Sequence, residues 1–283
     1  MQIISYKHIV GTERFPGQIT IPELDRHKPA TPQFIELADL DIELTCPTAF
    51  IFVAGSTIDQ SESGLGKGTG NFSPALKSTS AYVAHQWLTT FKGKEKFLTS
   101  MDVTTSTCAS AIEAIAMANL MIVNPYDKTE EVIIIGHERT TPDTVRLFKE
   151  LGIKVTCGDG FVYMKLREGH DISKPQWKWA YNDNPFVFTR ETLNNLIPAY
   201  KVGYVKLHQT GTVSNTEAES DLADLATPIG YKSEIGHTQG ISALLETCMV
   251  LDDPTLRGRI LVVANGLGGY YGSFTLTKPN ART

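Results

Sequence analysis

Short apolar runs separated by longer mixed segments organise most of this chain. TAFIFVAGS (48–56) is a continuous apolar run ending in small residues, the pattern of a buried strand entering a turn. The same reading predicts strands in KFLTSMDVTT (96–105), EEVIIIGHE (130–138), CGDGFVYMKLRE (157–168), YVKLHQTGT (204–212, strand then turn), RILVVANGLGG (259–269, strand then turn) and YYGSFTLTK (270–278). Helices are predicted from Pro74 to about Thr90, with the proline near its start, over 104–122, and over TPDTVRLFKELG (141–152), closed by Gly152. An acidic-fronted helix is predicted at 215–226, and a turn and buried helix at 235–253. Residues 1–47, with prolines at 16, 22, 29 and 32, read as an extended or edge segment.

Strands alternating with helices imply an α/β sandwich with largely parallel, buried sheets. The halves end alike, in the Gly-punctuated apolar stretches CGDGFVYMKL (157–166) and GLGGYYGSFTL (266–276), which suggests an internal duplication. We therefore expect a single domain over 1–283, with an N-terminal half at about 48–168 and a C-terminal half at about 175–278.

Composition narrows the chemistry. The 283 residues are 41% apolar, enough for a sizeable core, and the net charge of −5 argues against a nucleic-acid backbone as partner. Cys46, Cys108, Cys157 and Cys248 are spread without CxxC spacing, which disfavours a zinc ribbon or redox pair and fits a reducing compartment. The N-terminus lacks a signal-peptide pattern, and no apolar run approaches membrane-spanning length. A soluble, cytoplasmic protein is expected, with no membrane partner. GLGKGTGN (64–71) lacks the GK[ST] of a phosphate loop and reads as a surface loop. Lys92, Lys94 and Lys96 form the densest basic patch, which reads as a solvated turn.

TTSTCASAIEAIAMANLMI (104–122) sets Cys108 just before an almost entirely apolar run, interrupted from Ala111 on only by Glu113 and Asn119. A helix apolar on nearly every face belongs inside a protein. Its N-terminal dipole lowers the pKa of a thiol and activates a nucleophile; equally, Cys108 could be a small buried hydrophobe. Cys46, Cys157 and Cys248 have no such setting and read as structural. His208 and His237 each follow an apolar segment in a Gly/Thr-rich turn, HQTGT (208–212) and GHTQG (236–240). Thr210 and Thr212 offer hydroxyls to an extended ligand, and Lys232 lies five positions before His237.

These motifs together resemble the β-ketoacyl-acyl carrier protein synthases (ketosynthases) of the thiolase superfamily. STCASA is similar to their nucleophile motif, HQTGT to H-G-T-G-T, and KSEIGHTQG to K-S-x-x-G-H-x-x-G, in the family's order and followed by GLGG. Glu246 and Glu219 stand where the family carries glutamates. The resemblance implies a five-layered αβαβα sandwich of two similar halves and a Cys108–His208–His237 centre of the elongating, decarboxylative type. It implies support from Lys232 and Glu246, an oxyanion hole from the backbone N–H groups of Cys108 and Leu267, and pantetheine binding by Thr210 and Thr212. No metal or other cofactor is implied. Partners would be acyl carrier protein and a second ketosynthase-like chain, identical or not. A Cys-dependent acyltransferase and a chain-length-factor-like partner subunit are the alternatives. The chain departs from the family in its short length, in Gln209, Thr216 and Leu267, and in the abbreviated segment between Glu138 and Cys157.

Overall fold

The computed structural model describes residues 1–10, 30–40, 42–53, 94–138, 140, 142–179, 197, 201–220, 225–266 and 269–278. The helix expected from Pro74, the loop at 64–71, Lys92 and Leu267 lie outside them.

Among the described residues, ten strands form two five-stranded sheets. The first takes β1 (Gln2–Val10), β2 (Thr48–Val53), β3 (Leu98–Thr104), β4 (Glu131–Glu138) and β5 (Gly160–Arg167), in the order β1-β5-β4-β2-β3. The second takes β6 (Ile172–Trp179), β7 (Tyr204–Lys206), β8 (Thr227–Ile229), β9 (Gly258–Gly266) and β10 (Tyr270–Lys278), in the order β6-β10-β9-β7-β8. Counted within each half, the two orders are identical. The duplication faintly visible in sequence is therefore explicit in topology, and the two echoing segments become β5 and β10, which hold the same place in their sheets.

The expectation of largely parallel sheets needs correction. In each sheet the two pairings at one side are antiparallel and the two at the other parallel. The reason is plain at β9 and β10, whose connection is too short for the crossover that parallel neighbours require. β1 is the edge strand that the proline-rich beginning suggested, and it brings residues before 48 into the first sheet. α1 (Ala30–Leu37) and β6 were not apparent in the sequence pattern.

Side chains alternate along the strands as a period of two demands. Ala49, Ile51, Val53, Val132 and Ile134 face a core between the sheets, where they meet Ile260, Val262 and Ala264 of β9. Phe50, Phe52, Ile133 and Ile135 face outward against Phe34 and Ile35 of α1. Leu261 and Val263 do the same on the second sheet against Ile197 and Val202. Strands buried on both faces explain the unbroken apolar runs.

Among the described residues, two helices lie in the middle layer: α2 (Ser110–Val123) and α6 (Ser242–Asp252), each packed on both sheets. This is the layered α/β sandwich the resemblance implied. Burying a side chain such as Ile112 stabilises the fold by about 1.5–3 kcal/mol. α2 starts later than its apolar run, because Thr104 still belongs to β3, and its far end, Leu120 and Val123, is exposed. Among the described residues no helix is long and apolar enough to cross a membrane.

Candidate active site

The two middle-layer helices begin in the same way. A 3-10 turn, Thr107–Ala109, leads into α2, and a second, Gln239–Ile241, leads into α6. Each turn opens with a side-chain-bearing residue at positive φ, Thr107 at 51° and Gln239 at 40°. For β-branched Thr107 this costs about 1–3 kcal/mol. Cys108 follows Thr107 as Gly240 follows Gln239, so the thiol occupies a position that the other half leaves without a side chain. Ser110 Oγ donates to Thr107 O at 2.7 Å, and Ser106 Oγ donates to Glu113 Oε2 at 2.6 Å. Glu113, one of the two polar interruptions in the apolar run, thus ties the turn to the helix.

His208 follows β7, and its backbone N–H donates to Glu219 Oε1 at 2.6 Å. Glu219 also accepts from Gln209 N, and its helix α4 (Val213–Glu219) is capped by Thr212, whose Oγ1 accepts from Asn215 N. Thr210 Oγ1 donates to Asn215 Oδ1 at 3.0 Å and lies 3.2 Å from Thr212 Oγ1. Both threonine hydroxyls therefore have work inside the turn, and what they can still offer a ligand is acceptor capacity.

The backbone of His237 is held by the segment before β5: its N–H donates to Thr156 O at 2.7 Å, and its carbonyl accepts from Gly158 N. Lys154 N donates to Thr210 O in the same segment. α3 (Pro142–Glu150) ends as the sequence predicted, with Gly152 N bonded to Lys149 O and Ile153 N to Phe148 O. It delivers Phe148 onto the His237 ring, 5.4 Å between centroids. The abbreviated stretch between Glu138 and Cys157 thus reaches over both histidine turns.

These elements bring the predicted residues together. His237 Nε2 lies 3.2 Å from Cys108 Sγ, and the His208 ring stands edge-on to His237 at 5.3 Å. Ser242 Oγ lies 3.5 Å from His237 Nδ1 and donates to Glu246 Oε1 at 2.7 Å. Lys232, which opens the short helix α5 (Lys232–Ile235), donates through Nζ to that same oxygen at 2.7 Å, and Lys206 Nζ stands 2.8 Å from the other, Oε2. All of these groups are buried. Ser242, Lys206, Phe148 and Glu138, which accepts from Gly240 N, were missed in the sequence reading.

Burial dominates the electrostatics. It pushes the Cys108 thiol up to about 12; nearby Lys232 lowers the value and Glu138 raises it. Of the two readings of Cys108 that its segment allowed, a dipole-activated thiolate and a small buried thiol, burial favours a protonated thiol at rest, because desolvation outweighs the helix terminus. Burial, with Lys232 and Lys206 nearby, takes both histidines well below their usual value, so both are neutral. Burial alone would raise Glu246, but Lys206 and Lys232 hold it ionised. Among the described residues no group of three or more His, Cys, Asp or Glu could hold a metal ion. Leu267, expected to complete the oxyanion hole, is outside the described residues, but neighbouring Gly266 lies directly against the Cys108 turn. Cys248 is buried in α6, and Cys46, Cys108, Cys157 and Cys248 are all free thiols.

No protein-family model matches the sequence, and neither does any curated protein. Solved structures do resemble it. One is the PfaC keto synthase–chain length factor, with a TM-score of 0.62 and 15% identity over 88% of this chain. The chain has the thiolase-like fold of the ketosynthases. It spans about a third, 34%, of that PfaC chain. The tetronic acid condensing enzyme AbyA1 resembles this chain at a TM-score of 0.60 and 14% identity, covering 98% of this chain and 100% of its own. So does the ketosynthase of the AntDE:AntF complex with an acyl-carrier protein, at 0.60 and 11%, covering 89% and 85%. The ketosynthase fold, with a cysteine and a histidine contributed by opposite halves, is what any functional reading has to use.

Proposed function

We propose that this chain is a β-ketoacyl synthase that carries out decarboxylative Claisen condensation on carrier-protein thioesters, in fatty acid or polyketide-type biosynthesis. The observation that carries this reading is the 3.2 Å approach of His237 Nε2 to the Cys108 thiol, with His208 beside it. The whole chain acts as one unit, the N-terminal half supplying the nucleophile and the C-terminal half the histidines.

With neutral partners, His237 Nε2 accepts the thiol proton, while Nδ1–H points to Ser242 Oγ, whose own proton goes to Glu246. As Sγ attacks an acyl thioester, its proton passes to His237 and then to the departing carrier thiolate, leaving acyl-Cys108. The Cys108 N–H, with that of Leu267, stabilises the oxyanion, at about 3 kcal/mol per donor. A malonyl thioester follows. With no thiol proton to accept, His237 loses its Nδ1 proton to water and gains one from water at Nε2, and the Ser242 hydroxyl turns to donate to Nδ1. His237 and His208 then donate to the thioester oxygen. Loss of carbon dioxide leaves an enolate, which forms the new C–C bond at the acyl-Cys108 carbonyl. Collapse expels Cys108 as thiolate, which takes up one proton, and releases the β-ketoacyl thioester. Thr210 and Thr212 line the path of the pantetheine arm. The second chain of the assembly is a copy of this one or a ketosynthase-like partner.

Intact-protein mass spectrometry with a panel of acyl- and malonyl-carrier proteins tests this, with Cys108→Ala alongside. Acyl mass gained by the wild type alone, then lost with release of carbon dioxide and a β-ketoacyl product, is the expected result. Loading without malonyl consumption makes the chain an acyltransferase. No loading from any donor leaves it a non-catalytic partner subunit.

A further inference from the structure

Glu246 carries one more cation than it needs. Lys232 already neutralises it at 2.7 Å, and Ser242 adds a hydrogen bond to the same oxygen. Lys206 nevertheless places a second ammonium 2.8 Å from Oε2, with no exposure to solvent. Desolvating a buried ammonium is costly, and half a share of a carboxylate does not offset it. The residue is also out of place in its strand. β7 is flanked by core, and Lys206 sits between buried Val205 and Leu207, two positions before His208. The other carboxylates of the site, Glu219 and Glu138, accept backbone N–H groups instead: those of His208 and Gln209 in one case and of Gly240 in the other. The Lys206–Glu246–Lys232 triad therefore bears a net positive charge, and it reaches His237 through Ser242.

We propose that Lys206 is a positioning residue that makes this buried triad cationic and thereby biases the Cys108 site toward anionic ligands, including the carboxylate of a malonyl-type extender. The extender is named on the strength of the condensing reading, whereas the charge bias stands on the triad alone. Glu219 offsets Lys206 only from a distance, and the Lys206 charge still acts on both histidines, so an anion arriving beside them meets a favourable potential. Without Lys206 the remaining Lys232–Glu246 pair is neutral, and that preference goes.

Alkylation of Cys108 by two reagents of similar size and opposite character, anionic iodoacetate and neutral iodoacetamide, tests this without any carrier protein. Because Cys46, Cys157 and Cys248 are free thiols too, rates are read from the mass of the Cys108 peptide after digestion, for the wild type, Lys206→Gln and Lys206→Arg. Both reagents need the same thiolate, so the ratio of their rates reports local potential alone. Lys206→Gln should lower the iodoacetate-to-iodoacetamide ratio about tenfold, the effect of one unit charge at an intermediate effective dielectric. Lys206→Arg should restore it. An unchanged ratio in Lys206→Gln overturns the proposal.

If Lys206→Gln does not fold, the wild type alone decides. Burial and the Lys232 charge lower Lys206 to about 8 against the pull of Glu246 and Glu219, and the neutral histidines 208 and 237 complete its surroundings. The ratio should then fall as pH rises through about 8, and a flat ratio overturns the proposal. A chain that shows the ratio but never consumes malonyl loses only the synthase reading. A working synthase whose ratio ignores Lys206 loses only this inference.

Discussion

His237 and Cys108 lie 129 positions apart in the chain and 3.2 Å apart in space, and neither is charged at rest. The pair is a neutral thiol facing a neutral imidazole, poised for proton transfer only when a substrate compensates the charge that forms. This differs from an ion-pair thiolate, and it has a consequence for stability. The folded state holds the Cys108 proton up to about 12, whereas an unfolded cysteine releases it near 9. Between those values the native state binds more protons, so stability falls as pH rises, by at most about 1.4 kcal/mol per pH unit per thiol. Cys248 adds to the same trend. Cys108→Ser removes one contribution, and its urea midpoint should decline less steeply above pH 9 than that of the wild type. Parallel declines would mean that the thiol is not desolvated as described.

Glu246 is the counter-ion of two buried lysines, and truncating it should be the costliest polar change in the site. Glu246→Gln leaves both ammonium groups without a carboxylate and is expected to destabilise by about 3–5 kcal/mol in urea unfolding. Adding Lys206→Met to that variant removes one of the stranded charges, so the double variant should be more stable than Glu246→Gln alone. The carboxylate also has an acid signature. Its folded pKa is depressed, to about 2, so its contribution is present above 4.5 and is lost as pH falls toward about 2. Glu246→Gln should flatten that limb. A double variant less stable than the single one would show that Lys206 contributes packing rather than charge.

Much of this was legible in sequence because the signals are local. Unbroken apolar runs marked β2, β4 and β9, and turn chemistry placed His208 and His237 at element ends. Motif order then joined Cys108, His208, Lys232, His237 and Glu246. What escaped notice depends on pairings that no local pattern encodes. The antiparallel sides of the sheets follow from which strands meet. The raised thiol pKa follows from total burial, which a helix N-terminus in isolation does not reveal. Ser242 carries no local signal in sequence; only Glu246 and His237 on either side of it give it a role. Lys206 did leave a signal, a lysine inside VKL on an otherwise apolar strand, but its partner lies forty residues on, in α6.

Phe148 comes from the shortened segment and is the aromatic wall against His237. Phe148→Ala removes a buried ring and should cost about 3 kcal/mol of stability. It should also slow acyl loading of Cys108, because the imidazole loses the surface that fixes its plane. Phe148→Leu keeps much of the volume and should recover most of the stability. Loading rates from intact mass, measured beside thermal unfolding, separate the two effects. Loading by Phe148→Ala at the wild-type rate would assign the ring to packing alone.

Gly266 and Gly203 make a matched pair of glycines with opposite expectations. A Cβ on Gly203 meets nothing within 4 Å, so Gly203→Ala should be close to neutral for stability and loading. A Cβ on Gly266 would overlap Ser106 O and Thr107 Oγ1 and stand 3.2 Å from Ala109 N, all in the turn that carries Cys108. Two of these are backbone atoms, so the turn itself must move. That turn already holds Thr107 at a φ of 51°, a conformation kept only because its neighbours fix it. Gly266→Ala is therefore expected to displace the thiol from His237 and to reduce acyl loading by tenfold or more, since a misplacement of about 1 Å can cost about 100-fold. Far-UV circular dichroism should still report a folded chain, because the clash falls on the Cys108 turn and not on the apolar side chains packed between the sheets. If Gly266→Ala loads as fast as Gly203→Ala, the close approach of β9 to the Cys108 turn does not set the position of the nucleophile.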